Sequence, residues 1–130
     1  MTLQSLDFVY VPTRDVDATA RQYVELFGAE LLWKVRGMGT VVAALRVSDE
    51  GPVVLLSGHL QGETPILVYR VADYTAAVAA LRAGGAGDVV ELEIPHGPCA
   101  SLRAPGGQRF AVYELVRPGV DDHFLGRIDE

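Results

Sequence analysis

The sequence is poor in cysteine and lysine. Cys99 is the only cysteine among 130 residues, so no disulfide can form within the chain and no oxidising compartment is indicated. Lys34 is the only lysine, and 17 acidic residues against 11 basic ones give a formal charge of -6. An acidic balance opposes binding to nucleic-acid phosphates and to anionic lipid surfaces. The composition therefore predicts neither a nucleic-acid partner nor a membrane partner.

Long apolar runs and a leader segment are also missing. No apolar run approaches the roughly 20 residues that a membrane span needs. The first residues, Met1-Thr-Leu-Gln-Ser-Leu-Asp7, lack the cationic start and the apolar stretch of a signal peptide. We therefore expect a soluble, cytoplasmic protein. The 49% apolar content suffices for a packed core, and the length suits one domain or two half-domains that share a core.

The chain contains one structural plan twice. Phe8-Val-Tyr-Val-Pro-Thr-Arg-Asp15 and Ile66-Leu-Val-Tyr-Arg-Val-Ala-Asp73 are each a short apolar strand that runs into an aspartate. Each aspartate is a helix N-cap, and strand-rich stretches follow both helices. A repeat of this length predicts one supersecondary module used twice. The predicted division is a first βαβββ module over 1–58, a linker over 59–64, a second βαβββ module over 65–117 and a C-terminal tail over 118–130.

Turn and cap residues give the boundaries of the predicted elements. The first helix is predicted from Asp15 to Gly28, and the second from Asp73 to Gly84-Gly85. The predicted strands are Leu6–Val11, Glu30–Arg36, Thr40–Val47, Val53–Ser57, Ile66–Val71, Asp88–Glu93, Cys99–Arg103 and Gln108–Val116. Gly37-Met38-Gly39 is a predicted turn, and a short helical turn is predicted near 121–125.

Several short motifs, in this order and spacing, resemble the vicinal oxygen chelate superfamily of glyoxalases, bleomycin-resistance proteins and extradiol dioxygenases. The motifs are Leu6-Asp-Phe-Val, Asp15-Val16, Gln22-Tyr-Val-Glu-Leu-Phe-Gly28 and Ala104-Pro-Gly-Gly107, and the resemblance covers residues 5 to 116. It implies an α+β fold in which two βαβββ modules form a curved mixed sheet around a ligand cleft. It also implies a homodimer, often with modules exchanged between chains.

The resemblance places metal ligands at four strand positions, which are usually His, Glu, His and Glu in the metal-using members. Here these positions hold Phe8, Leu55, Ile66 and Ala111, and none of these side chains can donate a lone pair to a divalent cation. His59, His96 and His123 show no metal-ligand spacing. The expectation from the sequence is therefore no metal and no cofactor.

Strand alternation selects the residues expected to line the cleft, because side chains two positions apart share a face. The candidate ligand-binding residues are Phe8, Tyr10, Trp33, Leu55, Ser57, Ile66, Val68, Arg70, Arg103, Ala111 and Tyr113. Such an apolar and aromatic wall suits a flat organic ligand. The apolar members could equally fill a closed cleft, Trp33 could belong to the core or a dimer interface, and the two arginines could form structural ion pairs.

Two residues are weak candidates for catalysis. His96, in Glu93-Ile-Pro-His-Gly-Pro98, has a side chain suited to proton transfer near neutral pH, although an exposed loop histidine is the favoured interpretation. Glu114 is the second candidate. Cys99 has no histidine or helix N-terminus beside it in sequence, which predicts a buried and inert thiol.

The leading hypothesis from the sequence is a metal-independent protein that binds or sequesters a small apolar or aromatic metabolite or antibiotic. One alternative is a metal-free isomerase, lyase or cyclase that uses the same cleft. Another is an inactive protein-interaction module. The leading hypothesis leans against an enzyme.

Overall fold

The protein has an α+β fold in which the βαβββ order occurs twice. The computed structural model describes residues 2–37, 39–60 and 62–130, so Met38 of the predicted turn and Gln61 of the predicted linker lie outside the described residues. The elements are β1 (Ser5–Pro12), α1 (Val16–Phe27), β2 (Glu30–Gly37), β3 (Thr40–Arg46), β4 (Val53–Ser57), β5 (Ile66–Arg70), α2 (Tyr74–Ala83), β6 (Gly87–Ile94), β7 (Gly97–Arg103), β8 (Arg109–Tyr113) and α3 (Val120–Phe124).

By their contacts, the residues form two compact units. The first unit contains Phe8–Pro65 and Phe124–Glu130, and the second unit contains the residues up to Asp7 together with Ile66–His123. The start of the chain joins the second unit because the Gln4 backbone N–H donates to the Arg70 carbonyl at 2.8 Å. The end of the chain joins the first unit because Ile128 forms a parallel bridge with Lys34 of β2.

The first unit has the strand order β2-β3-β4-β1. β1 pairs with β4 in parallel, and the other neighbours are antiparallel. The helix α1 begins where the Asp15 carboxylate accepts a hydrogen bond from the Ala18 N–H at 3.0 Å, and it ends at Gly28, whose φ of 66° suits glycine. The core of this unit lies between α1 and β3–β4 and includes Val16, Ala20, Leu45 and Leu56.

The second unit repeats this arrangement with the strand order β5-β8-β7-β6. β5 pairs with β8 in parallel, and the remaining pairs are antiparallel. Asp73 caps α2 as Asp15 caps α1, again at 3.0 Å. The core between α2 and β7–β8 includes Val78, Leu102 and Val112. Both predicted helices and their caps are confirmed.

The last strand is shorter than the predicted 108–116 and ends at Tyr113. Its parallel partner β5 ends at Arg70, which pairs with Tyr113, so the parallel ladder ends at this pair. The chain turns instead toward the β6–β7 turn, where the Val116 N–H donates to the His96 carbonyl at 3.0 Å.

Within the described residues, no helix is long and apolar enough to cross a membrane.

Gly97 at the start of β7 lies against the backbone of Glu114. A Cβ at position 97 would lie 2.1 Å from the Glu114 carbonyl oxygen, whereas a Cβ at Gly119 would meet nothing within 4 Å. We expect Gly97→Ala to lower the free energy of unfolding by about 1–3 kcal/mol, because backbone atoms cannot yield as a flexible side chain can. Urea denaturation measures the change, with Gly119→Ala as the matched control. Equal effects of the two substitutions would contradict this close approach.

Candidate functional site

Three polar side chains meet on Asp7, inside the second unit. The Arg70 guanidinium donates from Nε to the Asp7 Oδ2 atom at 2.7 Å, and the Tyr113 hydroxyl donates to the same oxygen. The Ser5 hydroxyl donates to Oδ1 at 2.7 Å. Arg70 and Tyr113 are register partners at the ends of the parallel strands β5 and β8, so the sheet places their side chains next to each other. We call Asp7, Arg70 and Tyr113 the Asp7 cluster.

The charges within the Asp7 cluster follow from these hydrogen bonds. Burial opposes ionisation of Asp7, but the bonds from Ser5, Tyr113 and Arg70 outweigh it and lower the pKa of the carboxyl group. The hydrogen bond to Asp7 raises the pKa of the Arg70 guanidinium. Burial and the Asp7 carboxylate raise the pKa of the Tyr113 phenol. At neutral pH the cluster therefore holds a carboxylate, a guanidinium cation and a neutral phenol.

His96 is bonded to an acidic residue and packs beside the Asp7 cluster. Its Nε2 atom lies 2.6 Å from the Asp121 Oδ1 atom of α3. Its ring meets the Tyr113 ring edge to face, with centroids 5.9 Å apart and an angle of 73° between the planes. The backbone N–H groups of Val116 and Arg117 donate to the His96 carbonyl at 3.0 and 3.1 Å. These bonds hold the chain that leads into α3 against the turn.

The interpretation of His96 as an exposed loop histidine is therefore wrong. The residue is only 9% exposed, because the segment that leads into α3 is hydrogen-bonded to it and because its ring packs on Tyr113. Its contacts come from residues distant in sequence, so no local pattern could indicate them.

The other candidate residues of the second unit are buried in the core or form a surface ion pair. Ile66, Val68 and Ala111 are buried apolar side chains. Arg103 forms an exposed ion pair with Asp88 at 3.2 Å, which is one of the two possibilities the sequence left open. Surface pairs of this kind contribute little to stability.

The environments of Glu114 and Cys99 also indicate structural roles. The Glu114 carboxylate accepts from the Tyr74 backbone N–H at 2.9 Å, at the first residue of α2. Glu114 thus satisfies one backbone N–H at the N-terminus of α2. Cys99 is buried, and burial raises the pKa of its thiol to about 11, which agrees with the predicted inert thiol.

The candidates of the first unit are Phe8, Tyr10, Trp33, Leu55 and Ser57, of which Phe8, Leu55 and Ser57 are buried. The Ser57 hydroxyl contacts the His59 Nδ1 atom at 3.0 Å. The Trp33 ring packs on Phe124, with centroids 5.5 Å apart. Phe124 belongs to the same unit as Trp33, so this contact lies within the first unit.

The four positions that the resemblance assigns to metal ligands do not fit a metal ion. Phe8 and Leu55 are buried in the first unit, and Ile66 and Ala111 are buried in the second. No group of three or more His, Cys, Asp or Glu side chains within the described parts of the chain could hold a metal ion. Hydrocarbon groups cannot replace the hydration shell of a divalent cation. These four positions therefore cannot support a metal-dependent step.

Sequence reasoning missed Asp7, Ser5 and Asp121. Asp7 carries the one signal that could have been used, since it is an acidic residue inside an otherwise apolar strand. Such a residue must find a partner when the strand is buried. Its partners Arg70 and Tyr113 belong to the second repeat, so pairing them requires the fold.

Similar solved structures are numerous. A methylmalonyl-CoA epimerase from Mycobacterium tuberculosis has a TM-score of 0.72 at 19% identity, covering 91% of this chain and 92% of that one. A variant of the Streptomyces coelicolor methylmalonyl-CoA epimerase, in complex with 2-nitronate-propionyl-CoA, has a TM-score of 0.72 at 18% identity and covers 89% and 97%. A hypothetical protein, BH1468 from Bacillus halodurans C-125, has a TM-score of 0.70 at 15% identity and covers 85% and 93%.

These findings correct the functional hypothesis drawn from the sequence. The hypothesis of a metal-independent binding or sequestering protein is wrong, because the similar structures with a named activity are epimerases, which are enzymes. The alternative of an inactive interaction module is corrected on the same ground. The matches give no support for independence from metal or for the leaning against an enzyme.

At these identities the likeness to solved structures establishes the fold. No family model matches the chain, and no curated protein matches it. The likeness extends over about nine tenths of the chain and of its neighbours. The chain therefore has the fold of the vicinal oxygen chelate superfamily, as its motifs predicted.

Proposed function

We propose that the protein is an isomerase-type enzyme that moves a proton at the carbon next to the carbonyl of a small acyl thioester. The similar epimerases support the reaction class, and the coenzyme A ligands in their structures support an acyl thioester. The observation that carries the proposal is the Asp7 cluster, which holds a positively charged side chain in a fixed position.

Arg70 is suited to stabilise the charge that such a reaction creates. Removal of a proton next to a carbonyl places negative charge on the carbonyl oxygen, and a fixed donor or cation lowers the barrier most when it needs no reorganisation. Asp7 fixes the guanidinium through Nε at 2.7 Å. A guanidinium has five N–H donors, so further donors remain for a substrate oxygen, and the side chain is 38% exposed.

Tyr113 holds the carboxylate in place. The residue is 1% exposed, and its hydroxyl donates a hydrogen bond to the Asp7 carboxylate. The several donors restrict the motion of this half-buried carboxylate, and its hydrogen bond to Arg70 restricts the guanidinium in turn. In this proposal, Arg70 contacts the substrate, and Asp7 and Tyr113 position it.

Exchange of the substrate proton with solvent tests the proposed function directly. In D2O, we expect the protein to replace the proton on the carbon next to the carbonyl of methylmalonyl-CoA or propionyl-CoA, measured by proton NMR against a protein-free sample. Arg70→Gln should slow the exchange about 10²–10³-fold, since it removes the cation. Arg46→Gln is the control, because Arg46 is an exposed arginine that pairs with Glu30 at 3.8 Å and lies outside the Asp7 cluster. A correctly folded protein that exchanges neither thioester would refute the proposal.

The ionised state of Asp7 has a consequence for stability at acid pH. Because the pKa of Asp7 is lower in the folded than in the unfolded protein, its contribution is present above the unfolded value and disappears as the pH falls through the folded value. Asp7→Asn should therefore lower the free energy of unfolding at pH 7 by about 1–3 kcal/mol, and by less at pH 3. Urea denaturation at the two pH values measures both differences. A difference that does not shrink at pH 3 would contradict an ionised Asp7.

We also propose that the protein acts on its small organic ligand as a cytoplasmic homodimer, in which the two chains could exchange modules. Exposed apolar side chains at the end of α1, Leu26 at 74% and Phe27 at 63%, offer a surface that a second copy could cover. Light scattering should give twice the chain mass of 14.0 kDa. Replacing Leu26 and Phe27 together by serine should reduce the mass to that of one chain, and a single-chain mass for the unmodified protein would refute the dimer.

A further inference from the structure

We propose that a small cavity, located where β7 ends and β8 begins, binds the phosphate group at the end of the pantetheine arm of a coenzyme A thioester. The proposal rests on the proposed function and concerns the part of the substrate that lies away from the reacting carbon. The cavity has a volume of about 80 Å³, and its lining includes Asp88, Ser101, Arg103 and Arg109. All four residues belong to the second unit.

The strand pairing brings three hydrogen-bond donors to this cavity. Ser101 and Arg103 lie two positions apart on β7, so their side chains share one face of the sheet. Arg109 of β8 is the register partner of Arg103, which places the two side chains next to each other on that face. The Ser101 hydroxyl makes no hydrogen bond with another residue in the part of the chain that the structure describes. The cavity thus has two cations and a hydroxyl that can donate to one ligand.

A β-bulge positions the side chain that holds Arg103. The register of β6 against β7 shifts between Gly87 and Val90, and Asp88 lies in this bulge with a φ of 51°. This left-handed conformation is uncommon for a residue other than glycine. The Asp88 carboxylate accepts from Arg103 Nε at 3.2 Å, and the Gly107 carbonyl accepts from Nη1 at 2.8 Å. These bonds restrict the guanidinium and use two of its five N–H donors, so three remain for a ligand.

The charges and the size of the cavity favour a phosphate group. Two arginines and one aspartate give its lining a net charge of +1, and the arginines repel each other because they stand opposite on neighbouring strands. An anion bound to both offsets this repulsion. Donors from three residues suit a phosphate, which has more acceptor oxygens than a carboxylate and matches the guanidinium fork. At roughly 30 Å³ per water molecule the volume suits one small anion rather than a whole coenzyme.

The position of the cavity suits the length of the pantetheine arm. Arg109 begins β8, and Tyr113, the register partner of Arg70, ends it. Four strand steps of about 3.3 Å separate the two residues, which gives roughly 13 Å. The arm between the phosphate and the sulfur has the length of about four residues of extended chain, roughly 14 Å. A phosphate in the cavity therefore leaves the thioester within reach of Arg70.

An exposed apolar surface lies beside the cavity on the same face of the sheet. Val90 of β6 is the register partner of Ser101, and Leu92 follows two positions later. The exposed fractions of Val90 and Leu92 are 58% and 46%. Leu92 and Tyr113 both pair with Cys99, so this surface extends to the level of Tyr113. The methyl and methylene groups of the arm gain from contact with such a surface.

Thioesters with and without a phosphate test the proposal through proton exchange in D2O. We expect the KM for propionyl-pantetheine to be at least about tenfold higher than the KM for propionyl-phosphopantetheine, because only the second offers charge-assisted hydrogen bonds to the arginines. Arg103→Gln and Arg109→Gln should each abolish this preference, and Ser101→Ala should reduce it. Arg82→Gln is the control, because Arg82 is an exposed arginine of α2 that does not line the cavity.

Calorimetry provides a measurement that does not depend on activity. Phosphopantetheine should bind to the unmodified protein at least about tenfold more tightly than either pantetheine or inorganic phosphate, and Arg103→Gln should remove its advantage over pantetheine. Equal binding of phosphopantetheine and pantetheine, or a preference that survives both arginine substitutions, would refute the phosphate site while leaving the proposed function intact. Inorganic phosphate that binds as tightly as phosphopantetheine would show a site for free phosphate and refute the assignment to the coenzyme. Arginine-dependent binding of phosphopantetheine without exchange of any thioester proton would support the phosphate site and refute the proposed function.

Discussion

The carboxylate of Asp7 is the constraint on which the polar part of the second unit depends. An ionised carboxylate that is partly withdrawn from water is costly unless donors surround it, and here Ser5, Arg70 and Tyr113 provide them. The same bonds fix the direction of the guanidinium and keep the phenol neutral. Removing Asp7 would leave Arg70 and Tyr113 without their shared acceptor, so the two side chains depend on the carboxylate.

The strand pairing explains why this polar group sits where it does. Ile66, Val68 and Arg70 share one face of β5, and the first two are buried while the third reaches solvent at the end of the strand. On β8, Ala111 and Tyr113 are both buried, and the Tyr113 hydroxyl donates to Asp7. On this face, each strand thus has an apolar side chain two positions before its last residue and a polar side chain at that residue. The parallel pairing of β5 with β8 places these two polar side chains, Arg70 and Tyr113, next to each other.

The sequence predicts the fold far better than the site. The caps at Asp15 and Asp73 and the alternation in the strands are local signals, and each is repeated, so the two βαβββ repeats follow from short-range physics. The Asp7 cluster joins residues that are 43 or more positions apart in the sequence, and no local pattern indicates such pairings. Alternation alone selects Arg70 and Tyr113, but their roles depend on Asp7. His96 can be selected from the sequence because an imidazole is suited to proton transfer. Its burial cannot be predicted, because it results from hydrogen bonds with the segment that leads into α3, which lies about 20 residues further along the chain.

Electrostatic repulsion relates the charge of Arg70 to the apolar side chains of Ile66 and Ala111 on the same face. Two steps along a strand span about 7 Å, so a divalent ion at the level of Val68 or Ala111 would lie close to the guanidinium on the same face. Like charges at that distance repel each other, although solvent weakens the repulsion at the exposed end of the Arg70 side chain. A fixed guanidinium and a metal ion are therefore competing ways to place positive charge on this face. The second unit carries apolar side chains at Ile66 and Ala111 and a guanidinium that Asp7 holds in place.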